Sequence, residues 1–462
     1  MQSRYRFTCA WLPDGWRRNV VISVDPEGDI VDVSANDTVT TARQINGAAI
    51  PGMPNVHSHA FQRAMAGLVE QRSGNDDSFW TWRETMYEHA ALMTPECLNA
   101  IAAQLYADML KAGYTSVCEF HYLHSHGGVG GERRSHEDRL AMCQALMDAA
   151  TTSGIGMTLL PTLYQTSDFG AAPPTARQQQ FAMQTKHYLD LLSALRDSAR
   201  TAQFEIGIAL HSLRAVPPES LKVVLDARRD SDVVHIHIAE QEREVAACQQ
   251  HFGRRPIEWL VENVSLDKRW CLIHATHATR EELQAVAASG AVVGLCPTTE
   301  ANLGDGVFPM EDLLAAGGAF AIGSDSHISL SPIEELRWLE YQARLARRQR
   351  NVLSAGGASG GAMLWRNACE AGARVTGRNI GALAVGKRAD IVVLDVTSPL
   401  FAARNDTAII DTFVFSGTSE SVRDVMVGGR WLVQDRRHFA ETAVSAGYRR
   451  AVQTLQNGLK RK

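Results

Sequence analysis

The segment MPNVHSHAFQR, residues 53–63, sets His57 and His59 one residue apart at the end of an apolar run. Residues i and i+2 of an extended chain face the same side, so both imidazoles can reach one ion. Taken singly, such a pair is equally well two core histidines beside a turn. Three further apolar runs end in comparable residues. VVHIHIAE carries His237 with Glu240 just beyond, WCLIHATH carries His274 with His277 in the following loop, and AFAIGSDSHIS ends in Ser324-Asp325-Ser326-His327. Each residue alone has an ordinary explanation, as a hydrogen-bonded buried histidine or an N-cap aspartate. Jointly, four strand ends supply three neutral nitrogens and one carboxylate, a coordination sphere suited to Zn²⁺ with room for water. His235 shares the inward face of His237 one step deeper, where a satisfied core or supporting histidine is expected.

These residues need a scaffold that brings strand ends to one place. Eight short apolar runs alternate with helical stretches: AIPGMPNVHSH, TSVCEFHYL, GMTLLPTLY, FEIGIALHSL, VVHIHIAE, WCLIHATH, AVVGLCPTTE and AFAIGSDSHIS. The pattern predicts parallel strands closed into a (β/α)8 TIM barrel, whose active face is built from the C-terminal strand ends. A doubly wound open sheet is the competing arrangement, but no G-x-G-x-x-G follows the first strand. In PECLNAIAAQLYADMLKAG the apolar spacing is helical, and Gly113 is placed to end the helix.

Residues 18–50 alternate apolar and polar, with Asp25-Pro26-Glu27-Gly28 reading as a hairpin turn. After residue 380, GALAVGKRADIVVLD, DTFVFSG and VRDVMVGGRWLVQD read as short β runs, the last with a Gly-Gly turn. The expected organisation is a small β-sandwich domain formed by residues 1–49 and 385–440, a barrel over 50–384, and a C-terminal helix over 441–462. Two glycine-rich stretches, SHGGVGGERRSHED and SAGGASGG, are expected to be surface connections.

Composition narrows the classes. Hydrophobic residues are 45% and charged residues 21% of the 462, which excludes disordered, collagen-like and coiled-coil chains. A net charge of -5 gives no global attraction for nucleic acid or an anionic membrane, so an anionic ligand must be held by local arginines. MQSRYRFTCAWLPDGW lacks an apolar core long enough for a signal peptide, and no window of about 18 residues is free of polar groups. A cytoplasmic location is expected. The eight scattered cysteines form no C-x-x-C pair and are expected to be free, buried thiols.

With the H-x-H of strand one, the histidine of H-I-A-E, His274, and Asp325 in S-D-S-H, the chain resembles the amidohydrolase superfamily. The flanking β segments resemble that superfamily's composite domain. Two-metal members carry a bridging lysine on strand four, and FEIGIALHSLRA has none. The resemblance therefore implies one divalent metal ion, zinc by preference, on His57, His59, His237 and Asp325. It also implies a proton-shuttle role for Glu240. In chemical terms, Asp325 can accept a proton from the attacking water, His274 can orient it and stabilise developing charge, and Glu240 can protonate the departing nitrogen.

The substrate class rests on cations. Arg83 lies in FWTWRETMYEH and Arg214 in HSLRA, and the planar guanidinium fork binds carboxylates bidentately. A lone arginine is more simply a surface ion pair. Together, HSHAFQRAMAGL, FWTWRETMY, LHSLRA, HIHIAEQ and SDSHISLSP resemble the N-formimino-L-glutamate iminohydrolase (formimidoylglutamate deiminase) family of bacterial histidine degradation. That resemblance implies that Gln62, Arg83, Tyr122, His211 and Arg214 hold the glutamate portion of N-formimino-L-glutamate, in a homodimeric enzyme. The alternatives are another mononuclear deaminase or chlorohydrolase acting on a nucleobase-like ring and, in a different class, a catalytically silent barrel scaffold.

Overall fold

The computed structural model describes residues 2–35, 41–70, 78–125, 135–198, 201–354 and 359–461. The predicted parallel strands are Met53–Ser58, Tyr114–His121, Gly156–Leu163, Ile208–Leu210, Val234–Ile238, Trp270–His274, Val292–Leu295 and Ala319–Ile322, paired in chain order. The barrel closes where the Ser324 and Asp325 N–H groups donate to the His57 carbonyl at 3.1 and 3.0 Å, and Ser58 pairs with Asp325. A Cβ on Gly323 would lie 2.6 Å from His57 Cβ, so only glycine lets the last strand approach the first this closely.

The fourth run is interrupted. Phe204–Ile206 and Ile208–Leu210 each pair with the third strand, and between them a Cβ at Gly207 would strike Leu160 and Val233 at 2.6 and 2.7 Å. The first run also divides, because Arg43–Pro51 belongs to a second sheet and the barrel begins at Met53. Helix Pro95–Ala112 ends at Gly113, whose φ of +105° is the left-handed cap expected of it.

The floor of the barrel is sealed by the C-terminal end of helix Gly360–Thr376. His235 Nε2 lies 2.7 Å from the Val375 carbonyl, and Thr158 Oγ1 donates to the Thr376 carbonyl at 2.6 Å. Lumen side chains thus satisfy carbonyls that a helix end leaves bare. His235 is a buried core histidine, as its depth predicts, held through its Nε2.

Terminal segments of the chain meet in one mixed eight-stranded sheet. Its spatial order is Arg437–His438, Arg430–Gln434, Val422–Val427, Ile391–Leu394, Arg43–Pro51, Ser3–Leu12, Gly15–Val24, Ile30–Ala35. Ile391–Leu394 runs antiparallel to Arg43–Pro51, which joins the C-terminal strands to the N-terminal ones. Phe7, Ile22, Ile391, Val393 and Met426 share a core on this sheet, separate from that of the barrel. The hairpin turn at Gly28 and the Gly428-Gly429 turn form as expected.

DTFVFSG is not a strand. Ile409–Ser416 is an α-helix that buries Ile409, Ile410, Phe413 and Val414, the i, i+1, i+4, i+5 spacing of one helical face. A run as short as Phe413-Val414-Phe415 does not distinguish the two forms by periodicity; the packing against helices Pro332–Arg347 and Gly360–Thr376 decides. From Glu441 to Leu459 the chain is helical, as expected. All eight cysteines are free and buried. Residues 126–134 and 355–358, the centres of the two glycine-rich stretches, lie outside the described residues.

Candidate metal centre and substrate pocket

The strand ends converge as their residue types predict. His57 Nε2 lies 3.0 Å from His237 Nε2, and Asp325 Oδ1 lies 3.4 Å from the Nε2 atoms of both His57 and His59. Donor atoms of His57, His59 and His237 lie within 4.8 Å of one another, and so do those of His57, His274 and Asp325. His274 and Asp325 both have positive φ, +70° and +43°, uncommon for residues with a Cβ and characteristic of strained functional sites.

The protonation pattern tests whether this cluster fits a cation. His59 Nδ1 is 2.8 Å from the Phe120 carbonyl, and His237 Nδ1 is 3.0 Å from the His211 carbonyl. A carbonyl only accepts, so both rings carry their proton on Nδ1 and turn the Nε2 lone pair inward. His57 Nδ1 has no partner. Nδ1 lacks a partner in either tautomer; with the proton there, as on the other two rings, the Nε2 lone pairs of His57 and His237 face each other at 3.0 Å, an arrangement that a divalent ion accepting both would relieve. Burial lowers His57 and His237 well below the usual imidazole range, and lowers His59 as well, keeping all three neutral as ligands must be. The cluster can hold a metal ion.

His274 is placed differently. Its Nε2 lies 3.9 Å from Glu240 Oε1 and its Nδ1 3.3 Å from Glu300 Oε1. Burial alone would depress this imidazole, but Glu240, the Glu300 hydrogen bond and Asp325 outweigh it and hold it up at about 10. Burial in turn raises Glu240 to about 7, against the opposing pull of His274. An acid and a base poised this way at one cavity are suited to proton transfer.

One cavity at the barrel mouth is lined by His59, Gln62, Arg83, Tyr122, His211, Arg214, His237, Glu240, His274 and Asp325, with His57 buried beneath. All the site residues expected from the sequence are therefore brought together. Gln62 Nε2 donates to the Tyr122 hydroxyl at 2.9 Å, leaving its buried Oε1 without a partner. The Arg83 guanidinium lies 4.5 Å from the Trp80 ring centroid, and Arg214, beside the Tyr164 hydroxyl, reaches the Ser167 carbonyl through Nη1 at 3.5 Å. Each has a buried Nε without a partner.

Three buried acids at the site were not anticipated. Glu300 contacts His274, and Glu244 lines the cavity while accepting the Glu240 N–H at 3.1 Å. Glu119 accepts the Ala60 N–H at 2.7 Å. Glu300 had a readable signal in CPTTE, an acid one turn beyond a barrel strand. Glu244 and Glu119 had no such signal.

The chain belongs to the amidohydrolase family, whose sequence model matches residues 48–432. It is 50% identical over 433 residues to the formimidoylglutamate deiminase of Pseudomonas aeruginosa, covering 94% of this chain and 95% of that protein. The 8-oxoguanine deaminase of the same organism is 29% identical, with 84% of this chain and 82% of that one covered. An amidohydrolase crystal structure from Brucella melitensis superposes with a TM-score of 0.92 at 41% identity, covering 98% of this chain and all of the other. A zinc-bound adenosine deaminase from Xanthomonas campestris shares the fold, with a TM-score of 0.82 at 21% identity and 98% of each chain covered.

Proposed function

We propose that the protein hydrolyses N-formimino-L-glutamate to N-formyl-L-glutamate and ammonia. The observation that carries this reading is the pair of arginines, Arg83 and Arg214, each with a buried Nε that has no partner among the described residues, in one cavity with the histidine–aspartate cluster. Two guanidinium groups suit the two carboxylates of the glutamate portion. Acidic Glu240 and Asp325, beside the cluster, suit an amidine that is cationic near neutral pH. The 50% identity to the Pseudomonas aeruginosa enzyme over nearly the whole chain supports the same substrate.

His57, His59, His237 and Asp325 are the proposed ligands of one divalent ion, zinc by preference. Held between two carboxylates, His274 is better suited to act as a cation than as a ligand. A bound ion would acidify the attacking water. Asp325 takes a proton from that water, and His274 orients it and stabilises charge developing at the formimino carbon. Glu240 delivers a proton to the terminal nitrogen, the C–N bond breaks, and ammonia leaves the N-formyl product. Gln62, Tyr122 and His211 bind the glutamate portion beside the arginines.

The wider reading is a homodimeric cytoplasmic enzyme of histidine degradation. Among the described residues no helix is long and apolar enough to cross a membrane. The test is incubation with N-formimino-L-glutamate, following ammonia by a coupled assay and N-formyl-L-glutamate by NMR. Turnover of a purine, pyrimidine or triazine ring with none of formiminoglutamate would overturn the assignment.

A further inference from the structure

Beneath the ligand cluster lies a chain of buried polar side chains with a defined direction. Asn55 Nδ2 donates to Ser324 Oγ at 2.7 Å, Ser324 Oγ lies 3.0 Å from His327 Nδ1, and His327 Nε2 lies 3.3 Å from Ser58 Oγ. Ser58 Oγ donates to Glu119 Oε2 at 2.6 Å. The Asn55 amide nitrogen can only donate, and a carboxylate only accepts. With Glu119 ionised, hydroxyl protons run one way, from Ser324 to His327 and from Ser58 to Glu119, and His327 is neutral with its proton on Nε2. Every hydrogen bond in the chain then has a donor and an acceptor.

The chain's members alternate with proposed ligands. Ser58 stands between His57 and His59, and Ser324 directly precedes Asp325. Glu119 grips both neighbours of His59, accepting from the Ser58 hydroxyl through Oε2 and from the Ala60 N–H through Oε1, with the Tyr106 hydroxyl as a third donor at 3.0 Å. Arg63 donates to the His327 carbonyl at 2.7 Å, a second tie across the same seam. Glu119 and His327 make none of the contacts with the cavity that the reaction would need.

We propose that the Glu119–Ser58–His327–Ser324 chain is a positioning device that sets the separation of the ligands on the first and eighth barrel strands, and so the affinity and geometry of the metal site. The inference rests on His57, His59, His237 and Asp325 as the ligand set. Supporting groups behind metal-binding side chains typically change affinity by ~10- to 100-fold when removed.

The test uses the full-length protein, with Zn²⁺ affinity measured by competition against a chromogenic chelator and with the visible spectrum of the Co²⁺-substituted form. Ser58→Ala and Glu119→Gln are expected to weaken Zn²⁺ binding by ~10- to 100-fold and to alter the Co²⁺ bands. Ser58→Ala removes a single hydroxyl, and the melting temperature of its metal-free form checks that the fold is kept; it decides the matter alone if Glu119→Gln does not fold. Both variants retaining wild-type affinity and spectrum, while His237→Ala loses the metal, would overturn the positioning role and leave the ligand set standing. Wild-type protein without a stoichiometric site, or His237→Ala with undiminished affinity, would instead overturn the ligand set beneath it.

Discussion

Glu300 Oε1 lies 3.3 Å from His274 Nδ1, so the imidazole facing Glu240 is gripped from behind by a second, fully buried carboxylate. The same Glu300 oxygen accepts the Cys296 N–H at 3.0 Å, which fixes it independently of the histidine. Glu300 thereby sets the ring orientation and favours the cationic form. Replacing it with glutamine removes the charge and keeps the shape. Glu300→Gln is expected to lower kcat/KM by ~10- to 100-fold, with metal content unchanged on elemental analysis. Undiminished kcat/KM would remove Glu300 from the machinery.

The arginines supply a prediction about substrate rather than chemistry. Loss of a charge-assisted hydrogen bond to a carboxylate costs about 1.5–3 kcal/mol, roughly 10- to 100-fold in kcat/KM. Arg214→Met should lose that much toward N-formimino-L-glutamate and much less toward an analogue whose carboxylates are amidated. Equal losses on both compounds would point to a collapsed pocket.

Metal dependence follows from the donor set. Dialysis against a strong chelator at neutral pH should abolish ammonia release, and one equivalent of Zn²⁺ per chain should restore it. Elemental analysis of the restored protein reads the stoichiometry. Two equivalents needed for full activity would contradict a single-ion site.

Acid sensitivity has a separate source at His124, whose Nε2 sits 2.7 Å from the Thr162 carbonyl. Burial holds this imidazole down at about 4, below its ordinary 6.5, although the hydrogen bond to Thr162 opposes the shift. Between those pH values the unfolded chain binds a proton that the folded chain refuses, so stability is complete above pH 6.5 and falls as pH drops toward 4. The loss amounts to about 3 kcal/mol across that window. His124→Gln should therefore narrow the gap between urea midpoints measured at pH 7 and pH 4.5. A gap as wide as in the wild type would assign the sensitivity to other groups.

What could be read in advance was whatever follows from period and position along one strand. His57, His59, His237, His274 and Asp325 end apolar runs, and the barrel rule sends such ends to one face. Glu119 and Glu300 escaped because their partners come from other elements: Glu119 meets Ser58 at a separation of 61 residues and Glu300 meets His274 at 26. Neither partner can be read from the local pattern, although CPTTE does set the Glu300 acid just beyond a barrel strand. DTFVFSG is ambiguous for the opposite reason, since the three consecutive apolar residues Phe413, Val414 and Phe415 suit a strand and a buried helix equally, and tertiary packing chose the helix.

The seam between the first and eighth strands bears on how the protein is made. Ser58 and His327, which meet across it, are 269 residues apart. During synthesis, at roughly 5–20 residues per second, the two imidazoles of the H-x-H pair precede Asp325 by about 13 to 54 seconds. With the proposed ligand set, an ion captured by the growing chain would be held by histidines alone, and the full set of donors would exist only once the eighth strand has closed on the first.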